Sequence, residues 1–322
     1  MTTNTAPFTV QPRLTQIAMA IRPEGMIADE VCPRVPVEGE KFVYTKFALD
    51  EMFTIPDTKV GRTAEPHQVE FGGTDVIDAT EDHALDDLVP NKDIENAANA
   101  NANFNPLEMA AENTAILVEM AREQRVANLI FGLTTYSPSL RITLSGTSQW
   151  SDYTNSDPLS AMLLAMDQML VRPTDVIFGQ AAWTKFRMHP KVVAAVLNRS
   201  GGFGGIGAAG YATREAVAAL LEVRAVHVGQ AFGNGAKKGQ TATYSRLWGK
   251  HVAMIKLEAG VRNARSPLPT FCMTAQWGMR IAGTIAEPAK GVLGSQRVRV
   301  AEQLKELITF QECGYFFQNA VA

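Results

Sequence analysis

Residues 38–82 constrain this chain more than any other stretch, because they read as a two-stranded β arm with nothing of its own to fold against. Lys41-Phe42-Val43-Tyr44-Thr45-Lys46-Phe47 is rich in aromatic and β-branched residues, and Pro66-His67-Gln68-Val69-Glu70-Phe71 returns with apolar and polar positions alternating. Gly61 lies between the two runs. At about 3.3 Å per residue, a hairpin from Glu40 to Phe71 projects roughly 40 Å from a globular body. An isolated two-stranded hairpin is marginal in water. One edged by Lys41, Lys46, Lys59, Arg62, Glu65 and Glu70 therefore gains most by lying along a neighbouring copy.

The rest of the chain is substantial enough to carry such an arm. A sequence of 322 residues, 46% of them hydrophobic, supports one large or two modest cores. A net charge of -3 without any basic run argues against a dedicated DNA or RNA binder. No apolar run approaches membrane-spanning length, and the polar start from Met1 to Thr5 lacks the marks of a secretory signal, so a soluble protein without membrane partners is expected. Cys32, Cys272 and Cys313 are far apart and outside CxxC spacing. They read as small buried hydrophobes in a reducing compartment, not as a disulfide framework.

Along the chain, Pro7, Pro12, Pro23 and Gly25 suit an extended N-terminal segment with at most a short helix around Leu14 to Ala20. Val31 to Val37 is a proline-punctuated edge or first strand. A polar Asp82 to Asn103 segment leads to Asn105-Pro106, an N-cap and first-turn pair that starts a helix running to Phe131, about 39 Å long. Leu107, Ala110, Ala111, Thr114, Leu117, Val118 and Ala121 make one apolar stripe on it; Ile116, Met120, Ala127 and Phe131 make a second, and Gly132 stands as its stop. Strands are expected at Ser139 to Leu144, Val176 to Gly179, Val223 to Val228, Tyr244 to Trp248, Val252 to Leu257 and Met273 to Ile285. Three more follow at Gln296 to Val300, Leu304 to Phe310 and Tyr315 to Ala320. Helices are expected from Pro158, from Ala181 to about Asn198 with a break near Pro190, and from Thr213 to Leu221. The whole reads as mixed α+β.

Motifs for chemistry are sparse. Gly202-Phe203-Gly204-Gly205-Ile206-Gly207 is a literal GxGxxG, but a helix precedes it and the next helix starts only near Thr213. A phosphate-binding loop needs a strand before it and a helix N-terminus directly after. His67, His83, His189, His227 and His251 show no zinc spacing. Asp82-His83 with Asp86-Asp87 is the best acidic cluster for a hard cation, though it has no loop signature. Trp150 to Pro158 reads as a turn whose Asp and Ser residues cap and whose Trp150 and Tyr153 pack. A Ser, His and Asp triad from distant residues is a matter of geometry, and nothing in the sequence nominates one. No residue is put forward as catalytic, cofactor-binding or metal-binding, and no enzymatic activity is expected.

The order of elements resembles the major capsid proteins of tailed bacteriophages, the Hong Kong 97-type shell fold. The resemblance rests on the segment before Cys32, the arm ending in Val69-Glu70-Phe71, Glu119-Met120-Ala121-Arg122-Glu123 on the long helix, and the Gln149 to Pro158 linker. It continues through Val176-Ile177-Phe178-Gly179, Met188-His189-Pro190, Leu247-Trp248-Gly249-Lys250, Cys313-Gly314-Tyr315 and Asn319-Ala320-Val321. It implies an N-terminal arm at 1–30, a strand of the peripheral P-domain at 31–37 and an extended E-loop at 38–82. P-domain residues 83–155 would include a spine helix at 106–131. An axial A-domain would span 156–256, P-domain strands 257–295, and A-domain C-terminal strands 296–322.

The function the resemblance implies is self-assembly into hexamers and pentamers of an icosahedral head that encloses the phage double-stranded DNA. The partners would be other copies of the chain, a separate scaffolding protein, a portal, a decoration protein, and packaged DNA contacted without sequence preference. The protein would assemble in the bacterial host cytoplasm and reside in the virion. An encapsulin-like compartment that packages cargo enzymes shares the fold and is the structural alternative. A nucleotide or ligand site at the glycine-rich 201–210 loop is the alternative of another class.

Overall fold

The computed structural model describes residues 8–47, 53–68, 72–100, 104–199, 210–237, 239–258, 264 and 268–322. Two five-stranded sheets organise them, bridged by one long helix.

The first sheet runs in the order Thr9–Val10, Cys272–Glu287, Ser295–Ile308, Glu81–Pro90, with Arg34–Val37 also pairing, in parallel, with Cys272–Glu287. Its central pair is antiparallel and carries a bulge between Trp277 and Ile281, where Gly278 takes the left-handed φ of +72° that glycine adopts without strain. On one face, Val89, Ala282, Val298 and Val300 meet Ala110, Ala111, Ala115 and Val118 of the long helix, together with Leu14 and Ala18 of the helix Pro12–Ala20. The run of alanines lets the helix approach the sheet closely.

The second sheet runs Arg141–Thr143, Gly314–Gln318, Val252–Ile255, Asp175–Gly179, Ala225–Gly229. Asp175–Gly179 and Val252–Ile255 are buried along their whole length, as interior strands covered on both faces must be. Val176, Phe178, Val252 and Met254 face one core, filled by the helices Pro158–Gln168, Gln180–Arg187, Pro190–Arg199 and Arg214–Leu221. Ile177, Ala253 and Ile255 face another, where Val126, Ala127 and Ile130 end the long helix. Gly229 ends its strand under Trp248, and a Cβ there would lie 2.1 Å from the indole ring.

The long helix spans Pro106–Ile130, with Asn105 Oδ1 accepting from the Leu107 amide at 3.0 Å. Its burial departs from the expected stripes. Leu117 is exposed, while Glu119, Arg122 and Glu123 are buried by partners the periodicity does not reveal. Gly132 follows the end of the helix but is not left-handed; its φ is −73°, and its value is room, since a Cβ would sit 2.8 Å from Thr135 Oγ1.

Three other expectations need correcting. The segment after Asp82 is no connector: Glu81–Pro90 is an edge strand and Asn91–Asn99 a helix. The strand's acidic side chains bond across the ladder, which erases the apolar alternation that would have marked it. The two strands expected at Gln296 to Val300 and Leu304 to Phe310 are one, Ser295–Ile308, because Glu302 is buried against arginines and does not interrupt the run. Since that strand belongs to the first sheet and Gly314–Gln318 to the second, the crossing between the two units falls between 308 and 314, and not at 296.

Candidate functional site

The arm exists, with a different return. Lys41–Phe47 pairs antiparallel with Gly73–Ala79, Phe42 opposite Asp78 and Tyr44 opposite Val76. The expected return at 66–71 is no strand at residues 66–68, and 69–71 lie outside the described residues. The base of the arm does have its own chain to fold against. Phe42 and Tyr44 are buried on Val35, Met273, Ala275 and Leu307. Alternation then sends Val43 and Ile77 to the opposite face, where Ile77 is 75% exposed.

Beyond this ladder, residues 53–68 are exposed throughout, with a turn closed by the Ala64 amide on Gly61 O at 3.0 Å. Ile55 is 94% exposed and Phe53 50%. The base of the arm is thus folded on its own chain, while Phe53 and Ile55 beyond it are uncovered.

At the root of the arm, charged groups fasten residues 27–34 to the long helix and the first sheet. Arg280 bonds Glu302 through Nε at 3.1 Å and through Nη2 at 2.8 Å; it also meets Glu119 and donates to Ala18 O at 3.0 Å. Arg34 reaches Glu302 and Glu119 at 3.1 Å each and Asp29 at 2.8 Å. Arg122 donates to Asp29 at 2.6 Å and to Cys32 O at 3.1 Å. Three guanidinium groups thus face three carboxylates, and a fourth, the exposed Arg22, bonds Asp29 at 2.6 Å from the rim. Burial alone would raise Asp29, but Arg122 and Arg34 outweigh it and hold the carboxyl at about 2. Glu302 is lowered in the same way, by Arg280 and Arg34 against its burial. Glu119, Arg122 and Glu123 sit at i, i+3 and i+4 on one side of the helix. That spacing was the available signal for this cluster, within a segment read only for its resemblance.

A second tie uses His227. Its Nδ1 lies 2.7 Å from Glu30 Oε2 and its Nε2 3.1 Å from Asp175 Oδ1, which also takes Arg224. The other histidines are scattered. His67 is exposed on the arm, His83 lies on the Glu81–Pro90 strand, and His251 Nδ1 accepts from the Asn319 amide at 2.9 Å.

His189 Nε2 lies 3.1 Å from Ser156 Oγ, which is the one serine–histidine contact among the described residues with the form of a nucleophile and its base. Its protons run the wrong way. The Lys191 amide donates to His189 Nδ1, which leaves the proton on Nε2, and Ser156 Oγ already donates to Asp152 O at 2.6 Å. The imidazole is therefore a donor to a buried hydroxyl, not a base for it. Asp152 Oδ1 accepts from the Thr154 and Asn155 amides, Asp157 caps the following helix, and Trp150 is buried, so the Trp150 to Pro158 turn has the capping and packing role read from its sequence.

In the acidic cluster, Asp86 is taken by Arg299 at 2.7 Å through both oxygens, and Asp82 accepts from Gln303 at 2.7 Å. Among the described residues, no group of three His, Cys, Asp or Glu side chains could hold a metal ion. No helix there is long and apolar enough to cross a membrane. The GxGxxG at 202–207 lies outside the described residues.

Known proteins share this architecture. The phage major capsid protein E family matches residues 135–211. The major capsid protein of Pseudomonas phage JBD67 is 44% identical over 319 residues, covering 98% of this chain and 99% of that protein. Among solved structures, a phage-related protein from Bordetella bronchiseptica RB50 superposes with a TM-score of 0.73 at 18% identity, covering 98% of both chains. The capsid of cyanophage P-SCSP1u gives 0.54 at 9% identity, covering 89% of this chain and 86% of that one.

Proposed function

The chain belongs to the phage major capsid proteins and has their Hong Kong 97-type α+β fold, and from that premise we propose how it builds its shell. Copies assemble as hexamers and pentamers into an icosahedral head around the double-stranded DNA genome. The arm at 38–82 is the E-loop and lies over an adjacent subunit. Residues 1–30 act as an N-terminal arm, the first sheet with the long helix as P-domain, and the second sheet with its helices as A-domain. The P-to-A crossing is drawn after 308.

One observation carries this reading. The arm is anchored at its base by Phe42 and Tyr44, while Phe53, Ile55 and Ile77 remain open to solvent. An apolar projection on a rigid base is a contact made in advance for another molecule, and in a closed shell the molecule always at hand is another copy.

The role is structural, with no catalysis. A scaffolding protein, a portal and a decoration protein act as further partners during assembly in the host cytoplasm, and the finished protein resides in the virion. A net charge of -3 suits a wall that meets packaged DNA without gripping it. An encapsulin-like compartment has less support, since the relative at 44% identity is a phage capsid protein. Sedimentation and electron microscopy of the purified chain, with and without co-expressed scaffold, test the proposal. Closed shells or capsomers are expected; stable monomers under every condition would overturn it.

A further inference from the structure

Two of the three cysteines meet. Cys32 follows the short helix Ala28–Val31, Cys272 opens the strand Cys272–Glu287, and both are wholly buried. Arg34–Val37 pairs in parallel with that strand, Arg34 opposite Thr274, and the Thr274 amide donates to Pro33 O at 2.9 Å. That ladder begins two residues after Cys32, and Thr274 Oγ1 donates to Cys32 O at 3.0 Å, so Cys32 lies beside the first residues of the strand that Cys272 opens.

The side chains agree with that placement. Thr274 shares a strand face with Cys272, and its Oγ1 lies 3.4 Å from Cys32 Sγ. Cys272 Sγ donates to Val31 O at 2.9 Å, which brings it against the residue before Cys32. The two thiols also differ in character. The adjoining Cys272 thiol holds Cys32 below the usual thiol value against the effect of burial, with help from Thr274 and Arg122. Burial pushes Cys272 well up.

We propose that Cys32 and Cys272 form an intrachain disulfide on exposure to hydrogen peroxide, a cross-link that fastens the N-terminal segment to the first sheet. The Cys32 thiolate attacks the peroxide O–O bond and becomes a sulfenic acid, and the departing oxygen leaves as water. Cys272 sulfur then attacks the sulfenic sulfur, its proton and the hydroxyl leave as a second water, and the S–S bond closes. Two thiols and one peroxide give one disulfide and two waters. Both sulfurs are enclosed, so the reaction waits on opening of residues 27–34, and a small oxidant is favoured over a bulky one. Cys313, pushed up to about 12 by burial and by Glu312, stays a thiol. The pairing does not depend on the capsid reading, and only its timing does: reduced in the cytosol, oxidised after release.

The test uses the full chain, reduced, desalted and treated with hydrogen peroxide, with remaining thiols alkylated in denaturant. Alkylatable thiols should fall from three to one per chain, and a peptide map should join Cys32 to Cys272 and find Cys313 alkylated. The thermal midpoint should rise and return on adding dithiothreitol. Three surviving thiols, sulfinic acid at Cys32 without a cross-link, or cross-links between chains would each overturn the proposal. In Cys272→Ala, Cys32 should stop at the sulfenic acid; the map on the unaltered chain decides the matter even if that variant does not fold.

Discussion

The indole Nε1 of Trp248 donates to Glu123 Oε1 at 2.6 Å inside the core, and the same carboxylate accepts the Ile27 and Ala28 amides at 2.8 Å each. One side chain of the long helix thus satisfies the start of the segment before the arm and an aromatic anchor of the second sheet.

Glu123→Ala leaves three buried donors without an acceptor. Each such donor costs about 1–3 kcal/mol, so the variant should lose roughly 3 kcal/mol or more. Glu123→Gln should lose less, because its amide oxygen keeps one set of donors while its NH2 opposes the other. Denaturant unfolding of the unassembled chain should rank the wild type above Glu123→Gln and Glu123→Ala last. Equal stability of all three would remove the role given to this carboxylate.

Acid should loosen the root of the arm before the cores. Asp29 and Glu302 are held below their ordinary values by Arg122, Arg34 and Arg280. A depressed carboxyl stabilises the fold above its unfolded value and loses that contribution as pH falls through the folded one. For Asp29 the window runs from 3.8 down to about 2. Hydrogen-exchange protection across residues 27–37, taken relative to the intrinsic amide rate at each pH, should fall in that window, and Asp29→Asn should show lowered protection already at neutral pH. Glu302→Gln, which leaves Arg280 to Glu119 and Arg34 to Glu119 and Asp29, should cost about 3 kcal/mol, the low end for breaking a buried pair.

His227 works with the opposite sign. Burial alone would lower the imidazole, but Asp175 and Glu30 overcome it and raise it above 6.5. A raised histidine stabilises fully below its unfolded value and loses the contribution as pH rises through the folded one. The thermal midpoint of the wild type should therefore fall as pH climbs above 6.5, and that of His227→Gln should change less. Parallel curves for the two proteins would assign the slope to another group.

Local chemistry made much of this fold legible. Asn105-Pro106 and Asp157-Pro158 start helices because capping is decided by residues in contact along the chain, and Val176 to Gly179 is a strand because nothing but a covered interior suits it. What escaped depends on distant partners. Glu81–Pro90 hides as a strand because Asp86 answers Arg299 across the ladder, 213 positions away. Glu119 and Arg122 are buried on the helix only because Arg34 and Arg280 reach Glu119, and Asp29 reaches Arg122, from other elements. The return of the arm was misplaced for the same reason. The alternation at 66–71 is as good as that at Gly73–Ala79, and the register is set by Phe42 and Tyr44 seeking Met273 and Leu307.

In the proposed arrangement the arm serves assembly and not folding, and one variant can divide the two. Phe47 stands opposite Gly73 at the last pair of the ladder, so replacing residues 48–72 by Asn-Gly closes the hairpin with a two-residue turn matched to the twist of its strands. The base keeps Phe42 and Tyr44 on Val35, Met273 and Leu307, and neither core loses a residue. The variant should then unfold with the midpoint of the wild type to within about 0.5 kcal/mol, the range of surface changes. It should sediment only as small species under conditions in which the wild type forms shells. A second variant, Ile55→Asp with Ile77→Asp, keeps the length of the arm and puts charge where apolar surface is open. If adhesion comes from that surface, this pair should assemble poorly too. If it assembles as well as the wild type while the shortened arm does not, the arm acts through its backbone and charged edges, and the apolar contribution assigned to it is wrong.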